Sequence, residues 1–192
     1  MADDLSELME DLAIEKAIVL GHSMGGKTAM KFADLHPDKM EKLIVVDIAP
    51  KQYKSGHQAY FNAFNTINFS QFNTRKEADA ALAQIEPIPA IRQFLLKNLY
   101  WEQKGKLAWR VNFPVLESSM PEILAALPSF ESFTPTLFIR GLLSNYILDG
   151  DISQLESYFP DSQFVSIPNA GHWVHAEAPE VFLDEVLSFC LR

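Results

Sequence analysis

The sequence predicts an α/β fold, a parallel sheet flanked by helices and interrupted by one helical insertion, and three observations predict it. Apolar runs at residues 17–20 and 43–46, and further strands at 136–139 and 163–167, are separated by helical patterns, as in a sheet covered on both faces. Residues 50–133 change character to aromatic-rich helical pieces without a clear apolar strand. Between the first run and the helix after it stands Gly21-His22-Ser23-Met24-Gly25, a sharp strand-to-helix turn with a serine at its apex.

The elements follow in order. Leu5, Leu8, Met9 and Leu12 recur at helical spacing behind Asp3-Asp4, whose charges suit a helix N-terminus, so the chain opens on a helix. After the first strand comes the turn, then a helix over residues 24–35 that stops at His36-Pro37. The strand at 43–46 carries Asp47 at its end. In the insertion, Thr74 and Glu77 spell a capping box before residues 78–85, and Pro89 suits the first turn of a helix bearing Ile91, Phe94, Leu95 and Leu99. The alternation Leu107, Trp109, Val111 suggests a short extended stretch. A short helix over 152–158 divides the last two strands, and Pro179 opens a closing helix. This gives a core of residues 1–49 and 134–192 and an insertion of residues 50–133.

Composition narrows the function classes. With 192 residues and 48% hydrophobic content the chain can bury a core as one domain, or one domain with a large insertion. A net charge of -9, without basic stripes, argues against nucleic acid and anionic membrane surfaces and for small-molecule partners. The lone Cys190, beside Val186, Leu187 and Phe189 on the closing helix, reads as a buried core thiol with no disulfide framework, which fits a reducing cytoplasm. No stretch reaches the roughly 18 apolar residues that would span a bilayer, and the first residues are acidic where a secretory signal is basic and then apolar.

The turn explains its own spelling. Holding Ser23 at the apex requires strained backbone, and glycines two positions to either side let neighbouring backbone pass without a Cβ. The helix behind it aims its first N–H groups at the site, where they stabilise negative charge on a reacting oxygen. The alternative is a glycine-rich turn with an incidental serine, but phosphate-binding turns use other spacings.

A serine hydroxyl needs a base, and the base needs a carboxylate. His172, in the loop Pro168-Asn169-Ala170-Gly171-His172 after the last strand, falls at the carboxyl end of the sheet and is the leading base. His175 is the competing base and otherwise a pocket residue; two histidines without a third ligand make a poor metal site. His22, His36 and His57 read as structural or solvated. Asp47 closes a buried apolar strand, so its charge needs a partner, and it is favoured as the acid over Asp149. Asp149 and Asp151 lie well past the strand at 136–139, and Asp151 reads as the cap of the next helix. The turn after that strand holds Ser144, either a further hydrogen-bonding member of the network or an ordinary turn serine.

With these residues in place, the chain resembles the serine-esterase branch of the α/β-hydrolase superfamily. The resemblance rests on Gly21-His22-Ser23-Met24-Gly25-Gly26-Lys27, Val46-Asp47-Ile48-Ala49-Pro50, Phe94-Leu95-Leu96-Lys97, Asn112-Phe113-Pro114-Val115-Leu116 and Ala170-Gly171-His172-Trp173-Val174-His175-Ala176-Glu177, and covers essentially the whole chain. It implies a helical cap, hydrolysis of esters and acyl thioesters without cofactor or metal, Ser23 as nucleophile, Asp47 as acid, Ser144 as an auxiliary member and His172 as base. Dehalogenases and epoxide hydrolases of the superfamily carry aspartate at the position of Ser23.

Family members begin with several strands and a His-Gly loop ahead of the elbow strand, whereas this sequence starts at the helix just before it. The expectation is therefore a partial family fold from a longer esterase, with the elbow strand as an exposed edge and the Met24 amide as the oxyanion donor. The expected chemistry is acyl transfer to water through an acyl-enzyme, with aromatic and methionine side chains of the insertion either lining an acyl pocket or forming the insertion's core. The alternatives are a non-catalytic binding remnant and a lyase or C–C hydrolase using the same residues.

Overall fold

In the computed structural model all residues are described except Ser55 and His57 and the side chains of Ala59 and Ala63, so the expectation for His57 lies outside the described residues. Along the chain run α1 (Ala2–Asp11), β1 (Ala17–His22), α2 (Met24–Leu35), β2 (Met40–Val46), α3 (Gln58–Thr66), α4 (Arg75–Leu82), α5 (Pro89–Leu96), β3 (Leu99–Gln103), β4 (Lys106–Trp109), α6 (Phe113–Leu124), β5 (Thr136–Gly141), α7 (Ile152–Tyr158), β6 (Ser162–Ile167), α8 (Val174–Glu177) and α9 (Pro179–Cys190). Backbone contacts divide them into two units, Met1–Gln52 with Ala126–Arg192, and Tyr53–Ala125.

The first unit is built on a sheet of order β1-β2-β5-β6. Every pairing is parallel, and the register sets His22 beside Val46, Val46 beside Ile139 and Gly141 beside Ile167. Residues 43–46 of β2 are completely buried because the strand is central and covered on both faces. Ile44, Val46, Leu137, Ile139 and Ile167 form a core with Val174 and Phe189. β1 is an edge strand, and Leu20 on it is 44% exposed. In α1, Met9 is buried while Leu8 faces solvent, as does Leu12 just past the helix. Cys190 differs from its expectation: it is only partly buried, packed beside the core on a helix whose outer side, with Leu183, Leu187 and Leu191, is exposed.

The second unit has its own core of Phe69, Ala78, Leu82, Leu96, Leu99 and Leu107. Phe64, Phe69 and Phe113 stand around the Trp109 ring with centroids 4.7–5.0 Å away, in edge-on contacts that aromatic quadrupoles favour. Those aromatic side chains therefore serve the unit's own packing. Two sequence expectations fail here. The helix begun by Pro89 ends at Leu96, and Leu99 instead opens β3, which pairs antiparallel with β4. The apolar spacing 91, 94, 95, 99 fits a helix, but pairing of Leu99 with Trp109 across a two-residue turn prevails, and Gly105 supplies the left-handed φ of +78° that this turn needs. The Thr74 cap forms as expected, Thr74 Oγ1 accepting from Glu77 N–H at 3.2 Å, but the Glu77 carboxylate reaches back to the N–H of Asn73, not Thr74.

Candidate active site

Because all four strands of the first unit run the same way, their carboxyl ends share one edge of the sheet. Ser23 follows β1, Asp47 follows β2, Ser144 lies three residues past β5, and His172 five residues past β6. Topology alone thus gathers residues that are as many as 149 positions apart in sequence.

At the end of β1 the chain turns sharply. Ser23 sits at φ 54° and ψ -123°, outside the small left-handed region open to non-glycine residues, a strain of roughly 1–3 kcal/mol. It is held because Ser23 N–H donates to the Val46 carbonyl at 3.0 Å, and its own carbonyl accepts from Gly26 and Lys27 at 2.8 and 3.2 Å. A Cβ on Gly21 would lie 2.2 Å from the Gly25 carbonyl oxygen, so Gly21 is required for this close passage. Gly25 is not required for the same reason: a Cβ there meets nothing within 4 Å, because its side faces open space while its backbone is what Gly21 must clear. Met24 is the first residue of α2, where no preceding helical carbonyl can accept its N–H. One turn on, Lys27 is buried, and that burial pushes its ammonium down to about 8.

Asp47 also adopts a left-handed φ, 50°, and is fully buried. Its N–H donates to the Ile139 carbonyl at 2.8 Å, which fixes the backbone, and its carboxylate is satisfied from three sides. Gly141 N–H donates to Oδ1 at 3.2 Å, His172 Nδ1 donates to Oδ2 at 2.8 Å, and Ser144 Oγ donates to the same Oδ2 in a short bond. An ionised carboxylate only accepts, so the proton of a neutral His172 sits on Nδ1. That leaves Nε2 with a lone pair, and Ser23 Oγ donates to it at 3.0 Å. Ser23, His172, Asp47 and Ser144 thus form one continuous hydrogen-bonded chain. A Cβ on Gly141 would come within 2.3 Å of the Ala170 and Gly171 carbonyl oxygens, so this glycine permits the His172 loop to approach β5.

The other carboxylates weighed from the sequence lie elsewhere. Asp149 pairs with Arg140 at 2.5 Å, and Asp151 with Lys51 at 2.5 Å. Asp151 stands at the start of α7, yet its carboxylate accepts from the N–H of Leu148 at 2.8 Å and makes no cap bond to the helix. His36 bonds exposed Asp3 at 3.0 Å. His175 packs edge-on against His22 with ring centroids 4.9 Å apart.

Three neighbours of His172 were not legible as site residues. The Tyr146 ring is stacked on the imidazole, 3.9 Å between centroids and 19° between planes, and burial first, then the Asp47 charge, pushes its phenol up. His22 donates from Nε2 to the His172 carbonyl at 2.8 Å, and burial lowers its basicity, which favours the neutral imidazole. Glu177 accepts the N–H groups of Gly171 and Trp173 at 2.7 and 3.1 Å. Glu177 did appear within the motif that carries the family resemblance, but nothing in its residue type announced two backbone bonds. Among the described residues no three His, Cys, Asp or Glu side chains converge as metal ligands, and no helix is long and apolar enough to cross a membrane.

The sequence profile of the Alpha/beta hydrolase family matches residues 1–185. The chain is 38% identical over 196 residues to the sn-1-specific diacylglycerol lipase ABHD11 of mouse (Mus musculus), covering 98% of this chain and 64% of that protein. It is likewise 38% identical over 186 residues to esterase YbfF of Escherichia coli, covering 95% of this chain and 70% of that one. Among solved structures, a marine microorganism esterase superposes with a TM-score of 0.94 at 39% identity, covering 98% of this chain and 75% of that chain. The chain spans less than two thirds of the mouse relative's length. Profile, relatives and architecture agree, and the chain belongs to the α/β hydrolase family.

Proposed function

We propose that this chain carries the site of a serine hydrolase that cleaves carboxylic esters or acyl thioesters through an acyl-enzyme. The observation that carries the reading is the Ser23 Oγ to His172 Nε2 to Asp47 chain of hydrogen bonds, 3.0 Å and 2.8 Å long, at the carboxyl edge of the sheet. That the relatives bear the names esterase and lipase supports the ester class.

In this reading His172 Nε2 takes the Ser23 hydroxyl proton as Oγ bonds to the substrate's carbonyl carbon. The carbonyl oxygen becomes an oxyanion, held by the Met24 N–H at the positive end of α2. When the tetrahedral centre collapses, the bond to the alcohol or thiol breaks and the leaving group receives the proton from His172. A water then gives its proton to the same nitrogen as it attacks the acyl carbon, and on collapse the bond from the acyl carbon to Ser23 Oγ breaks while His172 returns the proton to Oγ, releasing the acid. Asp47 holds the imidazole tautomer and offsets the positive charge His172 carries in each half-reaction, and Ser144 fixes the carboxylate that does so.

Mass spectrometry after incubation with a fluorophosphonate tests this directly, since an activated Ser23 displaces fluoride and gains the phosphonyl group. The expected result is one adduct on Ser23 in the native protein and none in Ser23→Ala or His172→Ala, with ester hydrolysis lost in both. An unlabelled native protein that is folded would instead make the chain a non-catalytic binding remnant.

A further inference from the structure

The base of this site is held by more than its bond to Asp47. His172 lies in the loop between β6 and α8, and three polar groups of the backbone around it are bonded by side chains. Gly171 N–H donates to Glu177 Oε2 at 2.7 Å and Trp173 N–H to Glu177 Oε1 at 3.1 Å. Between these two bonds the His172 carbonyl accepts from His22 Nε2 at 2.8 Å. A single carboxylate therefore straddles the base, one oxygen on the N–H of the residue before it and one on the N–H of the residue after it. His22 closes the third side from the residue next to Ser23.

The two anchors tie the base to fixed parts of the fold. Glu177 is in α8, whose Val174 is fully buried in the core of the first unit. His22 ends β1 and adjoins the strained serine. The spacing between Ser23 Oγ and His172 Nε2 is thus set from both sides, by the strand that carries the nucleophile and by the helix that follows the base. A carboxylate suits the first anchor because both oxygens accept and neither donates, which an amide cannot match. A neutral imidazole suits the second because one N–H reaches the carbonyl without adding a positive charge beside a base that must itself become positive.

We propose that Glu177 and His22 are positioning residues that clamp the backbone of His172 and so set the reach of its imidazole to Ser23. This deepens the hydrolase reading and rests on it for its catalytic consequence. The structural half of the proposal stands on its own readout.

Two measurements on the same variants test it. The first is the downfield proton resonance of His172 Nδ1–H, bonded to Asp47, followed with solvent exchange in the native protein, Glu177→Gln, Glu177→Ala, His22→Phe and His22→Gln. Clamping predicts a shifted, faster-exchanging signal in the first three variants and partial restoration in His22→Gln, whose amide can still donate. The second is the rate of fluorophosphonate labelling against pH. A misplacement of about an ångström costs on the order of a hundred-fold, so Glu177→Gln and His22→Phe should lose between ten- and a hundred-fold and alter the pH profile. With an ester substrate the loss should fall on kcat and leave KM nearly unchanged. Glu180→Gln, the same charge change on the exposed first turn of α9, should match the native protein in both.

An Nδ1–H signal unchanged in Glu177→Ala and in His22→Phe would overturn the clamp, whether or not the native protein reacts. Native protein that fails to label while the signal still responds to the variants would uphold the clamp and overturn only the hydrolase reading. If Glu177→Ala does not fold, Glu177→Gln, which keeps one acceptor, still decides.

Discussion

Among the described residues each of the two units buries one carboxylate, and the pair shows how the arrangement proposed as reactive differs from a purely structural one. Asp47 in the first unit is fully buried and Glu86 in the second is 5% exposed, so both face the same desolvation cost and both are hydrogen-bonded from more than one side. Glu86 accepts from Ile88 N–H at 2.7 Å and from the Tyr60 hydroxyl in a short bond. That bond pushes the Tyr60 phenol up to about 12, so neither donor changes charge near neutrality. Asp47 also has a backbone donor and a hydroxyl donor, but its third partner is an imidazole whose far nitrogen receives the Ser23 hydroxyl. A buried charge is thus compatible with either role, and the partner that can take up a proton decides between them.

Asp47→Asn and Glu86→Gln break the comparison most sharply. An amide at position 47 presents a donor to His172 Nδ1, forces the other tautomer and should lower kcat about 10⁴-fold, as read from ester hydrolysis. Glu86→Gln should leave kcat within a few-fold and lower stability by about 1–3 kcal/mol in a urea melt, since one buried partner is mismatched. Equal losses of kcat in the two variants would erase the distinction drawn here.

Next in size is the fate of the competing acid. Asp149→Asn removes an exposed partner of Arg140 and should leave turnover within a few-fold and stability within about 0.5 kcal/mol. If it abolishes hydrolysis while Asp47→Asn does not, the acid is Asp149. Ser144→Ala should fall between these, about ten-fold in kcat, because Asp47 loses one of its three donors but keeps the bond to His172.

The alkaline limb touches stability and not turnover, and there the two units should differ in sign. Lys27 in the first unit is lowered by burial from 10.5 to about 8, so between those values the unfolded chain holds the proton that the folded one has lost. Stability then rises with pH across that window, and Lys27→Met should remove the rise. Tyr60 in the second unit is raised from 10.0 to about 12, so there the folded state holds the extra proton. Its contribution is complete below pH 10 and declines as pH climbs toward 12, and Tyr60→Phe should flatten that decline. Urea melts of the two variants from pH 7 to 11.5 check both slopes.

The regions also differed in how much of them could be read in advance. Strands 43–46 and 136–139 announce themselves because a strand buried in a parallel sheet tolerates few polar residues, the edge strand at 163–167 shows by its alternation of Phe164, Val165 and Ile167 with Gln163 and Ser166, and the elbow is legible because its glycine-serine spacing admits few other conformations. The insertion was harder. Leu99 fits the helical spacing begun at Ile91, and only its pairing with Trp109 across Gly105 makes it a strand residue. Tyr146, His22 and Glu177 escaped as neighbours of His172 for a related reason. The Tyr146 ring and the His22 bond depend on where separate loops cross, which no local pattern encodes, whereas the Glu177 bonds close a local loop over residues 171–177 that the residue types do not announce.

By itself the sequence determined the α/β class, the strained turn at Ser23, and the candidacy of Asp47 and His172, because strand burial, glycine spacing and an acid at the end of an apolar strand are local constraints. The tertiary structure alone decided that Asp149 and Asp151 pair with Arg140 and Lys51 while Asp47 meets His172, and that Ser144 joins the same carboxylate. Asp47 lies 97 positions from Ser144 and 125 from His172, and parallel strand register is what brings such groups within the roughly 3 Å that a hydrogen bond spans.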